Sequence, residues 1–187
     1  MLFIKTVVNG FFTFIALIFA TPYIILGRLC KKDKYYQVSL FISLFPFGIG
    51  NMMRRMFYKY TLKHMGHNVV FKFGSYCLYR NIEIGNNALI GIYNQLGECS
   101  IGDNALLGSH INIVSGKNQH VLNREQENAF YSQGVREKIL IGKNVWIGNN
   151  AIIMANVGDN CIIGAGSVVT KEIPDNIVCA GNPAKKL

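Results

Sequence analysis

Across the last two thirds of the chain, an aliphatic residue followed by glycine keeps returning. One run reads Ile84-Gly85, Ile90-Gly91, Leu96-Gly97, Ile101-Gly102 and Leu107-Gly108, ending at Ile113. A second reads Ile141-Gly142, Ile147-Gly148, Ile153, Val157-Gly158 and Ile163-Gly164, ending at Val169. The step is six residues, with one residue missing before Ile101 and two before Val157. A six-residue period fits neither an amphipathic helix nor a long alternating strand. It predicts a short strand and a tight corner, repeated. The aliphatic residue fills the axis of a coil, the small residue after it lets the backbone turn, and nearby glycine or asparagine tolerates positive φ. Three such units make one triangular turn. A single turn cannot bury its own inner face, so several must stack. The predicted fold class is an all-β solenoid.

The first third follows another pattern. Val7 to Leu26 reads VVNGFFTFIALIFATPYIIL, about the roughly 20 residues that a bilayer-spanning helix needs. Lys5 alone precedes it and no small-x-small site follows, so a cleaved signal peptide fits poorly. Arg28, Lys31, Lys32 and Lys34 come next, which by the positive-inside rule marks a cytoplasmic end. The apolar run Val38 to Ile49 is too short to span and contains Pro46. In NMMRRMFYKYTLKH, helical spacing puts Met52, Met53, Met56, Phe57 and Tyr60 on one stripe, with Arg54 and Arg55 opposite. That stripe fits a basic helix in the headgroup layer or a helix packed on the protein's own core. Residues 1–66 are expected to be a membrane-associated helical segment, contacting the membrane through residues 1–64, and residues 67–187 the solenoid domain.

Charge supports this division. Ten of the 19 basic residues but only Asp33 among the acids lie at or before Lys72. The formal net charge of +9 therefore belongs to the apolar third. Basic and apolar together point to an anionic membrane surface rather than nucleic acid. Cys30, Cys77, Cys99, Cys161 and Cys179 have neither disulfide-framework nor zinc-site spacing and read as small buried hydrophobes.

Between Ile113 and Ile141 the register breaks with VSGKNQHVLNREQENAFYSQGVREKIL. A long excursion inside a compact repeat is usually functional. It carries His120, a side chain that titrates near neutrality and suits general-base work. His110, in LGSHIN, is the competitor but reads more simply as a wall residue. His64 and His67 read as surface residues. With only His110 and His120 in or near the repeats, a three-histidine zinc site and hydratase chemistry are not expected, and no metal is predicted.

The register and the ending IGAGSVVTKEIPDNIVCAGNPAKKL resemble the hexapeptide-repeat acyltransferases over roughly residues 69–187. The resemblance implies a left-handed parallel β-helix and an active-site loop at residues 114–140. It also implies a homotrimer whose subunit grooves hold acetyl-CoA, and a donor-binding tail at residues 174–187. His120 matches the family's catalytic histidine, on the loop ahead of Ile141-Gly-Lys-Asn-Val-Trp-Ile-Gly148. Trp146, Asn149, Ala165, Thr170, Lys171 and Lys185 match donor-binding positions, and Lys171 and Lys185 can meet phosphate charge. Asn94 resembles a residue near the acyl and acceptor groups, and His110 is grouped with it as substrate-binding. The familiar Pro-Gly-Val corner is replaced by Met154-Ala155-Asn156.

The stretch SLFPFGIGNMMRRMFYKYTLKHMGHN looks like acyltransferases of surface-polysaccharide synthesis. The expected function is acetyl transfer from acetyl-CoA to a sugar hydroxyl on a glycan acceptor, a lipid-linked one included. The expected location is the cytoplasmic face of a bacterial inner membrane, either monotopic or single-span. The alternatives are N-acetylation of an amino sugar and a non-enzymatic membrane-bound scaffold.

Overall fold

Two-residue strands joined by tight corners wind the repeat into a three-faced prism. The computed structural model describes residues 2–116 and 134–187, without the side chains of residues 2–9. The first coil holds β1 (His64–Met65), β2 (Val70–Phe71) and β3 (Tyr76–Cys77). The second holds β4 (Glu83–Ile84), β5 (Leu89–Ile90) and β6 (Gln95–Leu96). The third holds β7 (Cys99–Ile101), β8 (Leu106–Leu107) and β9 (Asn112–Ile113), and the fourth β10 (Ile139–Ile141), β11 (Trp146–Ile147) and β12 (Ile152–Ile153). The fifth keeps β13 (Ile162–Ile163) and β14 (Val168–Val169), and β15 (Val178–Ala180) and β16 (Lys185–Lys186) close the stack.

Parallel pairing between coils makes three sheets. The first face runs β1-β4-β7-β10, the second β2-β5-β8-β11-β13-β15-β16, and the third β3-β6-β9-β12-β14. The solenoid is the left-handed parallel β-helix of about five turns that the resemblance implies. The missing pair of residues before Val157 has a local effect: on the first face the fifth coil retains only an isolated bridge, Ile141 to Val157 and on to Ile173.

Each aliphatic repeat residue from Ile84 to Val169 is buried on the axis. The residue two positions earlier points inward as well, as in Ile82, Ala88, Ala105, Ile111, Val145, Ala151 and Cys161. The sequence pattern thus showed only half of the core. The residue between the two faces outward, as strand alternation requires. Asparagines turn the corner between the first and second faces: Asn68, Asn87, Asn104, Asn144, Asn160 and Asn176 all have φ between 53 and 60°. Asparagine tolerates this conformation through local hydrogen bonding, and here the amides also bond along the column. Asn87 Nδ2 donates to Asn104 Oδ1 at 3.1 Å, and Asn144 Nδ2 to Asn160 Oδ1 at 3.0 Å. Cys77, Cys99, Cys161 and Cys179 are buried, and burial pushes the Cys99 thiol up to about 12.

Three helices stand on the open end of the first coil: α1 (Leu2–Leu29), α2 (Tyr35–Ser43) and α3 (Phe47–Thr61). A 3-10 turn, Lys32–Lys34, joins the first two. The apolar run Val38 to Ile49 is therefore two elements, with Pro46 as the N-cap of α3.

Of the two readings of the methionine-rich helix, core packing holds. Met53, Phe57 and Tyr58 of α3 are buried, and Tyr58 lies on Phe71 of β2 with ring centroids 4.2 Å apart. Arg54 lies on the buried side, not opposite it, because its guanidinium finds backbone acceptors there: Phe71 O at 3.1 Å, Ser43 O at 2.9 Å and Phe45 O at 2.7 Å. The prism also begins at His64 rather than residue 67, since β1 pairs with β4.

α1 docks on α3 through a narrow stripe. Ala16, Ala20 and Gly27 are buried, and Gly27 faces Phe57 and Thr61. At 100° per residue, the opposite face carries Phe11, Phe14, Ile18, Ile25 and Leu29, all exposed. Exposed Leu40, Phe41, Leu44 and Phe47 extend the apolar surface over α2 and the start of α3. The window Gly10–Leu29 has mean hydropathy 2.0 and is 17% buried.

Candidate functional site

His120 lies outside the described residues, as does most of the excursion. The described residues on either side of it, after β9 and before β10, stand at the corner between the third and first faces. The strand resumes at Ile139, earlier than a loop ending at residue 140. Lys138, the last residue before it, donates to Glu83 Oε2 of β4 at 2.5 Å, and Lys63 bonds the other carboxylate oxygen at 2.9 Å. The hydrogen bond from Lys138, followed by that from Lys63, pulls the Glu83 carboxyl down to about 2.

The other candidates fall on two corners. His110 turns the corner between the second and third faces with φ 59°. The equivalent places in neighbouring coils hold Tyr93 (φ 54°), Asn150 (φ 61°) and Gly166 (φ 70°). The His110 and Tyr93 rings stack at 5.4 Å and both are exposed. Sequence reading missed Tyr93. The available signal was an aromatic residue in a corner slot that asparagine or glycine otherwise fills.

Asn94 is fully buried inside this corner. Its Nδ2 donates to Gly108 O at 2.8 Å and its Oδ1 accepts from Ile111 N at 2.7 Å, so both ends of the amide brace the third coil. Asn149 and Ala165 lie on the outside of the same corner and are exposed. Asn149 Oδ1 accepts from Ser109 N at 2.8 Å, which locks the side chain across two coils. Ala165 packs so near Gly148 that a Cβ added there would stand 2.5 Å from the Ala165 amide nitrogen. A backbone so closely stacked leaves its small residues open to a long, thin ligand.

The tail ends at this corner too. Val168 N donates to Gly181 O at 3.0 Å and Ala184 N to Val168 O at 2.8 Å. β16 then folds back antiparallel on β15, pairing Lys185 with Ala180. The proposed donor tail therefore contains part of a sixth turn, and Lys185 and Lys186 are exposed at its end. Trp146 sits on the second face, 52% exposed, in an outward apolar column with Leu106, Ile162 and Val178. It is not packed into a corner.

Thr170 and Lys171 are elsewhere. They line a cavity of about 360 Å³ with Met154, Asn156 and Lys138, at the corner the excursion leaves from. One prism side separates this corner from that of Asn149, Ala165 and Lys185. Six residues of strand and turn cover at most about 20 Å. One protomer therefore brings the donor candidates together in two sets. Among the described residues, no group of three histidine, cysteine or acidic side chains could hold a metal ion.

The family model "Bacterial transferase hexapeptide (six repeats)" matches residues 138–171. The galactoside O-acetyltransferase of Escherichia coli K12 is 40% identical over 124 residues, covering 63% of this chain and 56% of that protein. An E. coli K12 protein whose name assigns it provisionally to colanic acid biosynthesis, the acetyltransferase WcaF, is 30% identical over 127 residues, covering 64% of this chain and 65% of that protein. The chain thus spans between about half and two thirds of these relatives' lengths. A galactoside acetyltransferase solved in complex with coenzyme A superposes with TM-score 0.73 at 27% identity, over 89% of this chain and 88% of that one.

Proposed function

Because this chain belongs to the hexapeptide-repeat acyltransferases, we propose that it moves an acetyl group from acetyl-CoA to a sugar hydroxyl. The observation that carries this reading is the whole-prism likeness to a galactoside acetyltransferase that binds coenzyme A, together with the single long break in the repeat at one corner.

In this mechanism His120 removes the hydroxyl proton as the sugar oxygen attacks the thioester carbonyl. Backbone N–H groups stabilise the oxyanion of the tetrahedral stage. The C–S bond then breaks, and the imidazolium returns the proton to the departing thiolate of coenzyme A. Acyl transfer is direct, with no enzyme-bound acyl group. Asn149, Ala165 and Lys185 hold one part of the donor. Thr170 and Lys171 meet it from the corner of a neighbouring prism, which is why the working unit is a trimer. The outward column Leu106, Trp146, Ile162 and Val178 is the apolar face available to such a partner. Asn94 positions this corner through its two backbone bonds, and His110 stands on its outer side toward the acceptor.

The place of action is the cytoplasmic face of a membrane during polysaccharide assembly. Support comes from the apolar surface of α1 and α2, the Lys31–Lys34 run, and the likeness to WcaF. Docking of α1 on α3 from Ala16 to Gly27 favours lying in the membrane plane over spanning.

The test is His120→Ala. Transfer to a sugar should fall by about 10²- to 10⁴-fold while coenzyme A still raises the melting temperature. Full activity in the variant rejects the mechanism. Matched hydroxy- and amino-sugars separate O- from N-acetylation. A chain that coenzyme A does not stabilise at all would be the scaffold.

A further inference from the structure

A second cavity, of about 820 Å³, opens where the helical cap meets the prism. Its wall is cationic. Lys32, Lys63, Arg80 and Arg136 line it against Asp33 and Glu98, an excess of two positive charges. They come from separate parts of the chain. Lys32 is in the 3-10 turn that ends the apolar helix, and Lys63 leads into β1. Arg80 and Glu98 stand in successive corner connections, and Arg136 is in the connection that re-enters at β10. The cavity therefore occupies the excursion's own corner, on the first three coils.

The guanidinium groups differ in what they already do. Arg80 Nη2 donates to Cys30 O and reaches Cys30 Sγ, holding the end of α1. Its Nε is buried without a hydrogen-bond partner, and the guanidinium lies 5.4 Å over the ring of Tyr35. Arg136 lies 4.9 Å over the ring of Tyr79. Stacking fixes the plane of the fork while leaving its N–H edge free to take an anion. Glu98 accepts a hydrogen bond from Asn81 Nδ2 at 2.5 Å.

We propose that this cavity binds the diphosphate of the acceptor, a diphosphate-linked saccharide, and so sets substrate class. This rests on the acetyltransferase reading above. Lys32 and the fork of Arg136 are the groups left to meet paired phosphates, while Arg80, held on Cys30, and Lys63, paired with Glu83, add positive charge behind them. The cavity opens beside the end of α1, where its apolar face gives way to basic residues, so a hydrocarbon tail and a diphosphate would meet matching surfaces. The sugar attached to that diphosphate would extend along the corner toward the excursion. At about 4.8 Å per coil, the cavity's upper edge at Arg136 is already level with it. The donor candidates Ala165 and Lys185 lie on another corner, two or more coils higher, and Thr170 and Lys171 lie on this corner but follow the fifth coil, two coils above the connection of Arg136, so coenzyme A does not compete for this space.

The experiment measures inorganic pyrophosphate binding to the full chain in detergent at saturating coenzyme A, by calorimetry. Saturable binding is expected, weakened at least tenfold in Lys32→Ala/Arg136→Ala; both residues are exposed, and the double variant should fold. The coenzyme A thermal shift, read on the same samples, reports the acetyltransferase reading separately. Farnesyl diphosphate and a uridine diphosphate sugar then distinguish a lipid-linked from a nucleotide-linked source, and preference for either supports the site. Absence of pyrophosphate binding, binding unchanged in the double variant, or displacement of pyrophosphate by coenzyme A would each overturn the proposal.

Discussion

Arg54 Nη1 donates to the carbonyl oxygen of Phe45 at 2.7 Å, fastening the elbow between α2 and α3 from within. The same side chain reaches Ser43 O, Phe71 O and Asn51 Oδ1. One guanidinium thus joins the helical cap to β2 of the first coil. Burial lowers its pKa, but its neighbours are neutral oxygens that only a cation with several donors satisfies at once.

Arg54→Met should therefore destabilise despite its apolar fit. The Ser43 carbonyl keeps a second donor, Gly74 N at 2.9 Å, but the bonds to Phe45 O and Phe71 O are lost. The expected loss is about 3 kcal/mol, or roughly 10 °C in melting temperature for a chain of this size. Arg54→Lys should recover little, because a compact ammonium cannot span the fork. A melting curve unchanged in either variant would show that the elbow is held otherwise.

Two glycines on one corner should respond unequally to alanine. At Gly148 a Cβ would stand 2.5 Å from the Ala165 backbone, which is held on both sides by the stack. Gly148→Ala should lose about 3 kcal/mol and weaken coenzyme A binding with it. At Gly166 nothing lies within 4 Å, and only its φ of 70° opposes a side chain. Gly166→Ala should lose about 1 kcal/mol, and Gly166→Asn still less, since Asn150 already adopts this conformation one coil below. Thermal denaturation of the three variants checks the order.

The Glu83 carboxylate, between Lys138 and Lys63, gives a pH dependence of known sign. Its folded pKa, about 2, lies below the roughly 4.3 of an unfolded chain. The unfolded state thus takes up its proton first as pH falls. The stabilisation is fully present above about pH 5 and is lost between there and pH 2. Its size is modest, about 1 kcal/mol at most, because the groups are solvated. The melting temperature gap between the wild type and Glu83→Gln should be present at pH 7 and vanish near pH 2. A gap independent of pH would mean that packing, not charge, sets it.

The prism was legible because its period is enforced at every turn. An aliphatic residue off the axis would lose its burial, so Ile84 through Val169 declared the inner wall. The second inner position escaped notice because it accepts Ala, Cys, Ser, Asn, Val and Ile alike, and so mixed a set gives no periodic hydrophobic signal. The cap was harder to read. Arg54 has the residue type of a solvated face, and only the carbonyls of Ser43, Phe45 and Phe71, brought near by the fold, make the interior its place. The cavity beneath Arg136 draws on five separated segments, a juxtaposition that spacing along one chain cannot reveal. The division of the donor candidates between two corners was hidden for the same reason: Ala165 and Lys171 are six residues apart, which is one full side of the triangle.

The apolar surface of the cap makes the last prediction. Phe14 and Phe19 of α1 and Phe41 of α2 are each more than half exposed, Phe41 with one side on the ring of Tyr23. Replacing all three with serine should leave the fold intact, since none is in the core, and should remove much of the affinity for a bilayer. Each phenylalanine side chain transferred from water contributes about 1 kcal/mol or more, so the triple variant should partition at least 100-fold less onto vesicles containing anionic lipid. Raising salt should weaken wild-type binding further through Lys31, Lys32 and Lys34, whose attraction is screened within about 10 Å at 0.1 M. Co-sedimentation with such vesicles across a salt series measures both effects. If the variant stays bound and salt has no influence, this surface instead packs against protein.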